Sequence, residues 1–191
     1  MKHAVVTAFL LGIAVLVSAA DRVPAHPHYR ISTTEGDIIV ELDGRRAPIT
    51  VANFMKLADG GYYNGTVFHR VMPGFMIQAG GYTTSLESKE PNEMIPNESG
   101  NGLTNMRGTI AMARQEQPHT AAAQFYINLV DNRGLDPSPN RWGYAVFGSV
   151  IDGMDVVDKI AAIETGPGGR FRQDVPAKPI IINKLERETY D

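Results

Sequence analysis

The chain has 191 residues, 43% of them hydrophobic and 20% charged, with a formal charge of −3 and no cysteine. That is one domain's worth of protein, with enough residues to bury a single core. Lack of cysteine excludes disulfides, thiolate metal sites and a cysteine nucleophile, and mild acidity without charge runs excludes a basic surface for nucleic acid.

Lys2 and His3 precede an apolar run from Ala4 to Val17, closed by Ser18, Ala19 and Ala20. A short positive region, such a run and small residues are the parts of a secretory signal peptide. The run is short for a transmembrane helix, which takes ~20 apolar residues. Residues 1–20 are therefore expected to be a leader cleaved after Ala19 or Ala20, the alternative being an uncleaved anchor. Residues 21–28 are polar with two prolines and read as a flexible lead-in, with the His26/His28 pair solvated. Tyr29 to Thr33 and Asp37 to Leu42 then predict a hairpin around Thr34-Glu35-Gly36, Ile38, Val40 and Leu42 alternating as in a half-buried strand. Pro48 opens a helix with a broad apolar stripe that Gly60-Gly61 ends.

Phe68 to Gly81 reads F-H-R-V-M-P-G-F-M-I-Q-A-G-G, two short strands joined at Met72-Pro73-Gly74. Period-two alternation puts Phe68, Arg70 and Met72 on one face, with Met76 and Gln78 sharing a face of the second strand. His69 points the other way, toward the barrel interior. A guanidinium and an amide among apolar side chains cost free energy unless hydrogen-bonded, so the pair is either a site or a snorkelling Arg beside a solvated Gln. Tyr82 to Arg107 is a long polar loop, a length that goes with function or surface wrapping. Asn64-Gly65-Thr66 and Asn97-Glu98-Ser99 match the glycosylation sequon. Further strands are predicted over Thr109–Ala113, Gln124–Leu129, Gly143–Val150 and Pro179–Glu186. A second helix, Met154–Ile163, is capped by Asp152. Gly166-Pro167-Gly168-Gly169 reads as a loop that lacks the Lys-Ser/Thr of a phosphate-binding loop. About eight strands and two helices without βαβ alternation predict an antiparallel α+β domain, a sandwich or a barrel.

The run Phe68–Gly81 resembles the signature of the cyclophilins, peptidyl-prolyl cis/trans isomerases. The resemblance extends over residues 29–187 through G-T-I-A-M-A (Gly108–Ala113), Q-F-Y-I (Gln124–Ile127) and V-F-G (Val146–Gly148). The Asn101–Arg114 run is most similar to the bacterial periplasmic branch. The resemblance implies a mainly β fold over residues 29–191, an eight-stranded antiparallel closed barrel capped by two helices. It also implies acceleration of X-Pro rotation in folding exported proteins, by a non-covalent mechanism that uses no cofactor and no metal. Position by position, Arg70 is the implied catalytic residue. Phe75, Met76, Tyr126 and Leu135 line the proline pocket, Gln78 and Gln124 hold the peptide and orient the arginine, and Ala113 and Arg114 face the residue before proline. Tyr144 stands where the family often has histidine. Departures are the added hydroxyl at Tyr126, Gly134 where several members carry Trp or Phe, and one extra residue in Gln115–Ala123. The implied partners are unfolded or loop X-Pro segments of exported proteins. The implied protein is periplasmic and monomeric, without stable membrane association once the leader is gone. A proline-peptide binding module or holdase with little turnover is the competing reading, and a hydrolase or metal enzyme built on His69 and His119 is the weakest.

Overall fold

The computed structural model describes residues 23–89, 91 and 93–188. The expected leader lies outside the described residues. Strands β1 (His28–Thr33) and β2 (Gly36–Leu42) form the expected hairpin, followed by α1 (Pro48–Asp59), β3 (Arg70–Met72), β4 (Met76–Ala79), β5 (Thr109–Met112) and β6 (Phe125–Asn128). β7 (Val146–Asp152), α2 (Met154–Ala161), β8 (Thr165–Gly168), β9 (Phe171–Pro176) and β10 (Ile182–Glu188) complete the chain. Eight strands make one antiparallel sheet in the order β10-β1-β2-β7-β5-β6-β4-β3, and β8 and β9 pair only with each other.

The sheet curls around a core of Ile31, Ile38, Val40, Leu42, Ile77, Ile110, Ile127 and Leu185, the inward positions of successive strands. Phe54 of α1 plugs the barrel and meets the rings of Tyr29, Tyr63, Phe125 and Phe147 at 5.7, 5.2, 5.7 and 5.3 Å. Such aromatic pairs add about 0.5–1.5 kcal/mol each beyond the area they bury.

The sheet is not the closed barrel that was expected. The edge strands β3 and β10 share no ladder. Instead Gly65 and Phe68 donate backbone N–H groups to Ile182 and Ile180, and Ile182 donates to Thr66, at 2.8–2.9 Å. A short seam thus joins the two edges, and the sheet is curled rather than fully laddered. Phe68, expected beside Arg70, lies in this seam before β3 begins and is buried in the core.

Both helix starts differ from simple caps. Pro48 takes the first position of α1, whose N-cap Ala47 supplies no side chain. Glu98 in the long loop accepts the N–H groups of Ile49 and Thr50 at 3.1 and 2.8 Å and the Thr50 hydroxyl at 2.6 Å. A carboxylate at a helix N-terminus is favoured by the unpaired N–H groups and the dipole. For α2 the expected cap, Asp152, is displaced by Gly153, whose φ of +83° is left-handed. A Cβ on Gly153 would stand 2.3 Å from the Asp37 carbonyl oxygen, so close approach to β2 decides that position. Of the Gly166–Gly169 stretch, read as a loop, Gly166 to Gly168 instead belong to one arm of the β8–β9 hairpin, and Gly169 lies in its turn. Residues 23–27 run along the barrel, with Gly44 and Leu42 donating to the carbonyls of Ala25 and Pro27.

Candidate active site

The turn between β3 and β4 sets the site. Phe75 N–H donates to the Met72 carbonyl at 3.0 Å across Pro73-Gly74, with Gly74 at φ +74°, as a type II turn requires. The turn puts Arg70 opposite Gln78, and β4 in turn pairs with β6, so Gln78 stands opposite Tyr126. Strand β5 adds Ala111 opposite Tyr126. These outward faces form a second apolar cluster, Met76, Ala111, Tyr126 and Val146, walled by Met72, Phe75, Leu103, Ala113, Leu135 and Tyr144.

Above this cluster is a cleft of about 190 Å³ lined by Arg70, Phe75, Met76, Gln78, Ala113, Arg114, Tyr126, Leu135 and Tyr144. Nine of the ten residues expected from sequence thus surround one space. The tenth, Gln124, borders an adjoining cavity of about 140 Å³, shared with Gln78, Ala113, Arg114 and Met94. Gln78 donates to the Gln124 side-chain oxygen at 2.7 Å, so the two amides form the wall between the spaces.

Arg114 lies over the Tyr144 ring at 4.6 Å and donates to the carbonyls of Gln115, Glu116, Trp142 and Gly143. Its charge is spent on joining two loops, which leaves its backbone and its stem at the cleft. Arg70 is different. Its side chain is 41% exposed and, among the described residues, its one ion pair runs from Nε to Asp174 at 3.5 Å. Neither glutamine is that partner, although both were expected to orient the arginine. Asp174 sits on β9, 104 residues away, and no local pattern announces it.

The Tyr126 hydroxyl does not enter the cleft. It donates to Asn105 Oδ1 at 2.7 Å, and burial, then the neighbouring Tyr144 and Asp136, hold its pKa above the ordinary phenol value. Asn105 is fully buried and donates its N–H and amide to Asp136 at 2.7 and 3.0 Å. Burial pushes the Asp136 carboxyl up, but these bonds and the Arg133 guanidinium outweigh it and leave the pKa low. Asn128 also donates to Asn105, at 3.2 Å, and Asn132 links Asn128 to the Phe75 carbonyl. A polar network therefore underlies the apolar floor, and sequence reasoning missed all of it except the tyrosine.

His69 does face away from Arg70, but not into the barrel. It packs under the β8–β9 hairpin against Tyr82 at 4.5 Å and Phe171 at 5.7 Å, with Nδ1 buried and unpartnered. Burial, with the Arg70 charge adding to it, lowers its pKa to about 4. Both sequon asparagines are engaged internally. Asn97 donates to the Gly143 carbonyl and accepts from Ser99, and Asn64 accepts from Leu185. Next to Gly134 the direction a Cβ would take is open, and Trp142 rests instead against His119 at 5.1 Å.

Comparison with known proteins agrees with this geometry. The family model for cyclophilin type peptidyl-prolyl cis-trans isomerases matches residues 28–187. The chain is 50% identical to peptidyl-prolyl cis-trans isomerase B of Escherichia coli over 80% of its own length and 94% of that protein. It is 47% identical to a peptidyl-prolyl cis-trans isomerase of Acinetobacter baylyi over 94% and 93% of the two chains. Among solved structures it is similar to a Cryptosporidium parvum cyclophilin crystallised in the presence of the dipeptide Ala-Pro. That match has a TM-score of 0.70 and 26% identity, and covers 85% of this chain and 99% of that one. With a curled eight-stranded sheet, an arginine-edged cleft over an apolar floor and such relatives, the chain belongs to the cyclophilin family and is a peptidyl-prolyl cis-trans isomerase.

Proposed function

We propose that the cleft bounded by Arg70 and floored by Met76 and Tyr126 is where X-Pro bonds are twisted, and that no covalent step is involved. The planar amide owes its barrier of ~18–20 kcal/mol to resonance, which places partial charge on oxygen and takes the lone pair from nitrogen. In the twisted amide that lone pair returns to the prolyl nitrogen, and charge separation falls. An apolar floor holds the proline ring, and a guanidinium at its edge donates a hydrogen bond that strengthens as the nitrogen becomes an acceptor. A ~10⁵-fold acceleration corresponds to about 7 kcal/mol. One such donor supplies ~3 kcal/mol, so the rest falls to the apolar pocket and to orientation of the peptide. The observation that carries this reading is the meeting of one incompletely paired arginine with the apolar floor of the cleft.

The Ala-Pro dipeptide named with the Cryptosporidium structure supports a short X-Pro unit as the ligand here too. The leader-like residues 1–20 support export to the periplasm, with unfolded or looped exported chains as substrates. Exchange NMR on an Ala-Pro peptide tests the chemistry. Arg70→Ala should lose most of the rate while the melting temperature holds, and Arg70→Lys should fare little better because a point charge cannot replace the planar fork. Near-wild-type exchange in either variant refutes the role of Arg70 and returns the cleft to a proline-binding module.

A further inference from the structure

We propose that Asp174 is a positioning residue for the isomerisation, holding Arg70 by its Nε edge so that the two terminal nitrogens stay free for the substrate. The inference rests on the reading of Arg70 given above. Among the described residues Asp174 is the only polar partner of the Arg70 side chain, at 3.5 Å from Nε. An arginine on a three-residue strand at the rim of a cleft has several rotamers open to it. Pairing at Nε restricts them without occupying the outer donors of the fork.

Two features show that Asp174 is placed with some care. Its φ is +68°, a left-handed conformation that non-glycine residues adopt seldom and that Asp tolerates better than most. Its side chain is also only 19% exposed, although the two residues before it, Arg172 and Gln173, face solvent. The left-handed turn at residue 174 interrupts the alternation of β9 and turns the carboxylate toward β3. Strand β9 is itself anchored on the barrel. Phe171 packs on Tyr82 and His69 at 5.0 and 5.7 Å, and Val175 is buried. Gln173 adds a long contact to the same carboxylate oxygen at 3.4 Å. The β8–β9 hairpin, outside the main sheet, thus acts as a strap that carries one carboxylate to the arginine.

Asp174→Gly separates this role from a structural one. Glycine takes a φ of +68° without strain, so the variant should melt at or above the wild-type temperature. Exchange NMR on an Ala-Pro peptide should nonetheless show the catalysed rate falling roughly tenfold or more with peptide affinity little changed, because misplaced groups cost rate rather than binding. Asp174→Asn keeps a left-handed-tolerant residue and an acceptor oxygen but no charge, and should be intermediate. In an Arg70→Ala background Asp174→Gly should have no further effect. A wild-type rate in Asp174→Gly, or an equal loss on top of Arg70→Ala, overturns the proposal. If Arg70→Ala itself kept its activity, the reading of Arg70 would fail, an outcome distinguishable from the other two.

Discussion

Asn105→Ala should destabilise the protein far more than Tyr126→Phe, although both break the same hydrogen bond. In Tyr126→Phe the hydroxyl leaves and Asn105 Oδ1 keeps its other donor, Asn128 Nδ2 at 3.2 Å, so no buried group is orphaned. The expected cost is that of one net hydrogen bond, about 1 kcal/mol. In Asn105→Ala the Tyr126 hydroxyl remains, on a residue 4% exposed, and has lost its acceptor. An unsatisfied buried hydroxyl costs about 2 kcal/mol, and loss of the amide bond to the Asp136 carboxylate adds about 1 more. Asn128 escapes, because its amide also donates to Thr109 Oγ1 at 2.9 Å. The sum is about 3 kcal/mol. For a domain of this size that lowers Tm by about 6–12 °C, against about 2–4 °C for Tyr126→Phe. The double variant should cost less than the two single ones together, since removing the hydroxyl removes the orphan. Urea unfolding and thermal melts of the three variants measure this directly. Equal costs for the single variants, or strict additivity in the double, would refute the reasoning. Peptide affinity should fall with Asn105→Ala as well, because Asp136 holds the loop that carries Leu135 to the cleft.

Three further outcomes are expected. His69, neutral and buried with its pKa lowered to about 4, gives an unfolded state that binds more protons between pH 6.5 and 4. Stability should therefore fall as pH drops through that window, by on the order of 3 kcal/mol, and His69→Phe should flatten this acid limb in pH-dependent melts. In cyclophilins the position matching Gly134 often carries a Trp that packs on cyclosporin; the vacancy here is left unfilled by Trp142, so wild type should be poorly inhibited. Gly134→Trp should gain about 2 kcal/mol, over tenfold in affinity, and nanomolar inhibition of the wild type would contradict this. Export should remove residues through Ala19 or Ala20, and a full-length membrane-extracted species in mass spectrometry would show an anchor instead.

What could be read from the sequence was what is encoded locally. Alternation placed the β1–β2 hairpin, Pro48 opened α1, and Met72-Pro73-Gly74 turned β3 back on β4 so that Arg70 and Gln78 meet. Alternation by itself reached only Arg70, Met76 and Gln78; the other cleft residues, several of them on loops, were named through the resemblance to the cyclophilins and not through any periodicity. What failed depended on distant partners. Phe68 left the Arg70 face because the chain there is bound to Ile180, just before β10, and not yet to β4. His69 found its neighbours on a hairpin whose first arm, Thr-Gly-Pro-Gly, carries none of the β-branched or aromatic pattern of a strand. Asn105 and Asp136 looked like loop polarity until the fold buried them together. Asp174 is invisible for the same reason, with a backbone angle that only a structure reveals.

The seam and the position of β10 have a consequence for how the molecule is made. β1 lies between β2 and β10, and its pairing runs from His28↔Glu188 to Thr33↔Ile182, the two ends of the domain side by side. A chain emerging from the ribosome can zip β1 to β2 at once, yet the other edge of β1 must wait for residues some 150 positions later. Until then Ile31 and Val40 face a core that lacks Ile182 and Leu185, and the 65–68 segment has no acceptor across the seam. The barrel is therefore completed from its last strand, which ladders with β1 while residues 180–182 make the seam to residues 65–68. Contacts of such sequence separation are the slow ones to form, because the loop they close costs entropy before the contact repays it. A nascent enzyme whose activity is to speed chain folding thus has an unprotected strand edge of its own for as long as synthesis lasts.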